Sequence, residues 1–515
     1  MAQTRTKNTV RNSAVGILSY VITSLMSFVS RTVFIKVLGV EYLGISGLYS
    51  NILTMLSLTD MGLVTVMIYS LYKPLAENDI ERVESLIRYF KRLYNIIAGV
   101  VAIVGVAMIP VLPYVVKGSA LSYGELVRYY LLILLNNVCS YFAVSKTTLI
   151  KADQQMSTVQ LVTCICNIAL HGVQIVLLLI LKNYTVFLIA PIAFTLLSNL
   201  ILSVITTRRY PYLKKKNNVQ VEDEIKVYIK KNLKSTFVYK LSASIINSTD
   251  NILISVMLGV TVVGYYSNYM TVVALVNSVI SILIQGVIAS LGSYNSSQPP
   301  ARKYAMFKIF SLAFYAVGAF CAACYLSVFS DFINVWIGSE FILSNLFLWS
   351  LVFNNFVSCI SNPIWMTRET TGLFKESRYV MLCAAVINLG LSILLGKFIG
   401  LAGIIFATGI ARLLTMYWYE PFTLCKKVFE IPFGKYWVKI FALLLASAAP
   451  IVVGWLLQGF PTQNIFLMLA KIVLCALATL LSFVLFFFKT EEFKSVKSKI
   501  LNVLKKQKHS KGETI

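Results

Sequence analysis

Leu38-Gly39-Val40, followed by Gly44 and then Tyr49-Ser50-Asn51, returns later in the chain as Leu258-Gly259-Val260, followed by Gly264 and then Tyr266-Ser267-Asn268. The offset is 220 residues before the turn and 217 after it, a difference near one helical turn. Each copy joins two long apolar runs, so its glycines mark a tight turn at the outer face of a membrane. The repetition predicts two related six-helix halves. An even number of spans per half makes the repeats parallel, and repeated halves with a site between them are a recurring transporter plan.

Working outward, nearly all the apolar material comes in runs of the length needed to cross ~30 Å of hydrocarbon as a helix. Hydrophobic residues make up 58% of the 515 and charged residues only 13%, proportions that exclude a water-soluble domain. Short alternating segments, the mark of a membrane barrel, are missing. The expected fold is an all-α integral membrane protein of about 14 spans, at 13–38, 42–70, 93–116, 124–150, 156–181, 185–206, 236–258, 263–292, 304–330, 342–366, 378–397, 400–422, 437–459 and 465–488. This predicts an N-terminal half at 1–206, a basic cytoplasmic linker at 207–235, a second half at 236–422, and two added helices with a basic tail at 423–515. Lys and Arg concentrate at alternate ends of the runs, which places those ends and both termini in the cytoplasm.

The net charge of +25 therefore has a topological explanation, and nucleic acid is not an expected partner. Two basic segments have apolar residues at helical spacing: Ile225, Tyr228, Ile229 and Leu233 in the linker, and Phe493, Val496, Ile500 and Leu504 in the tail. Both read as helices lying on an anionic inner membrane face. The nine cysteines scatter through the spans, and Cys321 and Cys324, although spaced C-x-x-C, sit in apolar helix and read as small packing residues. No cofactor is expected, and no nucleotide-binding loop is visible.

Polar residues pick out particular helix faces. Span one carries Ser13, Tyr20, Ser24, Ser27 and Arg31 on one side; span seven carries Lys240, Ser244, Asn247 and Asn251, with Asp250 one residue aside. Span eight offers Tyr266, Tyr269, Asn277, Ser281 and Gln285, and span five offers Gln160, Thr163, Asn167, His171 and Gln174. Such faces line a central cavity or glue helices together. Arg31 and Asp250 lie deep in their spans, where a charge costs roughly 2.5–3.5 kcal/mol even on the lenient scale, so both should face protein or water. Arg31 reads as a cavity cation for an anionic ligand, since its planar fork suits phosphate, or as a structural partner of Asp250 or of backbone carbonyls. Substrate contacts are expected from Arg31, Ser27, Lys240, Asn247, Asn251, Tyr266, Asn277 and Gln285. Gating or ion coupling is expected from Asp250, from Asp60 near the inner end of span two, and from His171.

The stretch 38–49, Leu-Gly-Val-Glu-Tyr-Leu-Gly-Ile-Ser-Gly-Leu-Tyr, with Leu58-Thr59-Asp60-Met61-Gly62-Leu63 downstream, resembles the first helix pair of bacterial polysaccharide transporters, the Wzx-type lipid-linked oligosaccharide flippases. Gly400-Leu401-Ala402-Gly403 through Gly409-Ile410-Ala411-Arg412 is similar to the eleventh and twelfth helices of that family, and Val64 departs from it where a second glycine is common. The resemblance implies a member of the multidrug, oligosaccharidyl-lipid and polysaccharide exporter superfamily in the bacterial inner membrane. It implies translocation of undecaprenyl-diphosphate-linked repeat units for capsule, O-antigen or exopolysaccharide by alternating access. It also places the family's diphosphate-binding cation at Arg31. Expected partners are that lipid-linked oligosaccharide, membrane lipids, a polymerase and chain-length machinery. Expected driving forces are the membrane potential and H⁺ or Na⁺, with Asp250 the ion site that resets the empty carrier. Two other classes stay open: a cation-coupled multidrug antiporter, for which carboxylates should dominate the cavity, and a membrane polysaccharide polymerase or ligase, for which a large outer loop should be present.

Overall fold

The computed structural model describes residues 2–57, 63–214, 221, 223, 226–227, 244, 246 and 248–495. Among these the protein is all-helical, without a strand, and ten helices are long and apolar enough to cross a membrane. Packing divides the chain into two compact units, Met1–Leu275 and Val276–Ile515.

The first unit holds α1 (Ala2–Leu38), α2 (Val40–Leu56), α3 (Leu63–Glu77), α4 (Ile80–Ala107), α5 (Tyr123–Ser140), α6 (Val144–Ala152), α7 (Met156–Leu181), α8 (Tyr184–Arg209) and α9 (Ser248–Leu258). It also holds the first half of α10 (Val260–Ser297). Both repeat turns are built as the sequence suggests. Gly39 has φ 91° and Gly259 φ 99°, conformations that glycine enters without the clash a Cβ would cause. Helix starts are chemically marked: the Asp79 side chain accepts from the Arg82 amide, and Ser122 and Glu125 close a capping box at α5. α1 lies along α7, where Gly16 faces the Gln160 side chain and Thr23 hydrogen-bonds Cys164. Small residues let such helices approach closely in lipid.

The second unit holds the rest of α10, then α11 (Pro300–Trp336), α12 (Asn345–Ile360), α13 (Asn362–Thr371), α14 (Phe374–Leu414), α15 (Met416–Leu424), α16 (Phe433–Gln458) and α17 (Ile465–Phe487). α11 is its hub, packed by α12, α16 and α17. Its Gly318 and Ala323 leave room for neighbours: Gly318 meets Phe356 and Cys359 of α12, and Gly454 of α16 sits directly on the Ala323 backbone.

Several boundaries differ from the expected spans, each for a local reason. The expected run 42–70 is interrupted, because α2 ends at Leu56 and Ser57 leaves the helix at ψ 89°, its hydroxyl 2.7 Å from that of Tyr141. The run 342–366 breaks at Ser361, and Pro363 opens α13, where a missing amide hydrogen costs nothing. The expected boundary between 397 and 400, by contrast, is present: α14 is two helical stretches parted by non-helical backbone at Ile399 and Gly400 (φ 59°), and Gly403 then packs on the Leu395 carbonyl. Asp60, Lys240 and Asn247 lie outside the described residues. So do Ile225, Tyr228, Ile229 and Leu233 of the expected linker helix, and Val496, Ile500 and Leu504 of the expected tail helix.

Candidate functional site

α1 carries Arg31 two turns before the Gly39 turn, which brings its guanidinium to the start of α10. Nη2 donates to Ser267 Oγ at 2.6 Å, and Nε donates to Asn268 Oδ1 at 3.0 Å. The Ser267 hydroxyl passes its own hydrogen to the Gly264 carbonyl at 2.9 Å, so its lone pairs are free to accept from arginine. Asn268 is fully buried, and with Oδ1 facing Arg31 its Nδ2 has no hydrogen bond among the described residues. The second copy of the Tyr-Ser-Asn repeat thus clamps Arg31, whereas Asn51 in the first copy donates back to Gly47 of its own helix.

Both partners of Arg31 are neutral. Hydrogen bonding fixes the guanidinium, but among the described residues no carboxylate pairs with it, so its positive charge is not cancelled locally. In a medium of low dielectric such a charge attracts an anion far more strongly than in water.

The surrounding residues arrange as follows. Asp250 is buried on α9, and Tyr266 is buried on α10. Asn251 and Ser244, on the same side of the seventh span, each keep a buried side-chain oxygen without a hydrogen bond among the described residues. Ser27, one turn before Arg31, is exposed. His171 is half-buried on α7, its Nδ1 buried without a hydrogen bond among the described residues, and nearby Gln174 donates to the Phe187 carbonyl at 3.3 Å. Asn277 and Gln285 belong to the second unit, both exposed on α10. Within the first unit the structure therefore brings Arg31 together with Ser267 and Asn268.

The end of this unit that carries the two repeat turns is tightly packed. Gly44 and Gly264 bring α2 and α10 into backbone contact. Beside them the Glu41 carboxylate accepts from Ser119 Oγ at 2.6 Å and from the Ala120 amide at 2.8 Å. The Val260 amide donates to the Lys117 carbonyl at 2.9 Å, and Ser255 Oγ donates to the Val115 carbonyl at 2.6 Å.

Sequence reasoning missed the charged pairs of the second unit. Lys471 of α17 donates to Asp331 of α11 at 2.6 Å and to the Ser327 carbonyl at 3.2 Å. Arg368 of α13 pairs with Glu420 of α15, both almost wholly buried. Lys471 was legible as a lone cation inside an apolar run, the signal that marks Arg31. Among the described residues no cluster of His, Cys, Asp and Glu could hold a metal ion.

The fold is that of known transporters. A structure titled "Lipid II flippase MurJ, inward closed conformation" is similar at TM-score 0.68 and 14% identity, covering 92% of this chain and 98% of that one. An inward-facing multidrug resistance transporter of the MATE family and MOP superfamily is similar at TM-score 0.58 and 15% identity, over 78% of this chain and 95% of that one. A MOP-superfamily transporter from Pyrococcus furiosus is similar at TM-score 0.55 and 16% identity, over 82% and 97%. Among curated proteins none matches the chain in sequence. The model of the family described as "Polysaccharide biosynthesis protein" matches residues 9–289, more than half of the chain. This multi-pass membrane protein, with the fold of the MOP-superfamily transporters, belongs to the polysaccharide biosynthesis protein family.

Proposed function

We propose that the protein is a flippase of the bacterial inner membrane that carries undecaprenyl-diphosphate-linked oligosaccharide repeat units from the inner to the outer leaflet. The observation that carries this reading is Arg31: a guanidinium inside a membrane span, held by Ser267 and Asn268 and unneutralised by any carboxylate among the described residues. An antiporter of organic cations would gain nothing from an uncancelled positive charge; a diphosphate would. Arg31 would meet the diphosphate, with Ser27, Lys240, Asn247, Asn251, Tyr266, Asn277 and Gln285 lining the path of the sugar, and the polyprenyl tail remaining in lipid.

The chain would cross the membrane about fourteen times, in two six-helix halves plus two added helices, with both termini cytoplasmic. The halves rock about a central cavity, and Asp60, Asp250 and His171 serve gating or ion coupling. Outward movement of an anion is favoured by an inside-negative potential, by ~2.3 kcal/mol per charge per 100 mV. A proton or Na⁺ at Asp250 would return the empty carrier. A polymerase and chain-length machinery would consume the product. The test is depletion of the protein with leaflet-resolved measurement of the lipid-linked oligosaccharide. Complete units are expected to accumulate on the cytoplasmic side while surface polymer falls; unchanged lipid-linked units and polymer would overturn the reading.

A further inference from the structure

After α17 the chain turns at Thr490 and lays Glu492 back against the second unit. Its carboxylate, 7% exposed, bridges two cations: Oε1 meets Lys308 Nζ of α11 at 2.7 Å, and Oε2 faces Lys439 Nζ of α16 at 3.4 Å. Each lysine also rests on an aromatic ring, Lys308 at 5.4 Å from the centre of Tyr304 and Lys439 at 4.6 Å from that of Phe487. These contacts restrain the two ammonium groups by an interaction that does not involve Glu492. The next residue, Phe493, lines an apolar cavity of about 380 Å³ between α11 and α17. Leu312, Ala316 and Phe320 form one wall and Ala476, Leu480 and Phe483 the other. The wall on α11 begins one helical turn after Lys308 and continues for ~12 Å at 1.5 Å per residue.

Two cations bridged by Glu492, whose neighbour Phe493 lines this apolar cavity, form a site with a chemical meaning. A phosphodiester carries one negative charge on two free oxygens, as the Glu492 carboxylate does, and in a lipid it is attached to an apolar chain. The cavity lies within the ~300–1,000 Å³ common for ligand pockets. A headgroup bearing an ammonium would bring a third cation to the mouth, so an anionic headgroup is favoured.

We propose that this groove binds one anionic phospholipid, its phosphodiester on Lys308 and Lys439 and an acyl chain between α11 and α17, and that Glu492 is an internal competitor for the headgroup position. The groove is separate from Arg31, and occupancy by lipid would release the C-terminal segment. The headgroup end is cytoplasmic on the topology proposed above, but binding itself does not depend on that topology or on transport.

Native mass spectrometry of the full-length protein, released from detergent with equal amounts of phosphatidylglycerol and phosphatidylcholine of the same chains, tests this. The expected result is more retained phosphatidylglycerol than phosphatidylcholine, a several-fold rise of that excess in Glu492→Gln, and its loss in Lys308→Met/Lys439→Met. Ala316→Phe narrows the cavity without touching the ion pairs and is expected to remove the excess too. Equal retention of both lipids, an excess unmoved by Glu492→Gln, or an excess that survives Ala316→Phe would each overturn the proposal.

Discussion

Gly44 and Gly264 occupy the same crossing from opposite copies of the repeat: a Cβ on Gly44 would fall on the Val260 carbonyl, and a Cβ on Gly264 on the Val40 carbonyl. Each glycine thus meets the backbone four residues before the other, a reciprocal contact that follows if the two turns descend from one design. Gly44→Ala and Gly264→Ala are each expected to cost about 1–3 kcal/mol, because backbone rather than a movable side chain fills the space. Thermal unfolding in detergent measures this, with Gly99→Ala, where a Cβ meets open space, as the control.

Lys471 and Asp331 dock α17 onto α11 through a buried ion pair. Removing one partner strands a charge, so Lys471→Met or Asp331→Leu alone should cost about 3–5 kcal/mol, while the double variant should return close to wild type. A double-mutant cycle of unfolding midpoints reads the coupling; additive losses would show that the pair does not interact.

Burial alone would raise the carboxyl of Glu492, yet the hydrogen bond from Lys308, a backbone hydrogen bond and the nearby lysine charges bring it down to about 2. A lowered carboxyl stabilises the folded state above its ordinary value of 4.5 and loses that contribution as pH falls toward 2. Stability should therefore decline through this window, and Glu492→Gln should flatten the decline. Unfolding midpoints measured from pH 7 downward, wild type beside variant, check this; parallel curves would contradict it.

Much of the fold was legible in the sequence because lipid leaves a chain few options: helices must be long and apolar, and turns between them need residues such as Gly39 and Gly259 that accept positive φ. Proline and packing decided what length could not, as at Ser361, whereas the break at Gly400 falls where the expected spans part. The charged pairs escaped for a related reason. Asp331 falls just past an expected boundary at 330, whereas α11 continues to Trp336. Arg368 and Glu420 stand near span ends, where charges read as topological, and only the packing of α13 on α15 shows them buried. Arg31 itself was legible by depth, but its partners were not. Ser267 and Asn268 stood out as repeat residues, and nothing along the chain says that the second copy reaches back to α1.

The central claim is that the uncancelled charge of Arg31 draws the diphosphate head into the protein. The most direct test is to replace the wild-type protein with Arg31→Ala, Arg31→Lys or Arg31→Gln and measure lipid-linked oligosaccharide in each leaflet, with membrane abundance of each variant as the control. The account predicts that Arg31→Ala and Arg31→Gln, at normal abundance, leave the units in the inner leaflet, and that Arg31→Lys restores part of the transfer. Transfer by Arg31→Gln equal to wild type would contradict it, because glutamine, shorter and with fewer donors, carries no charge.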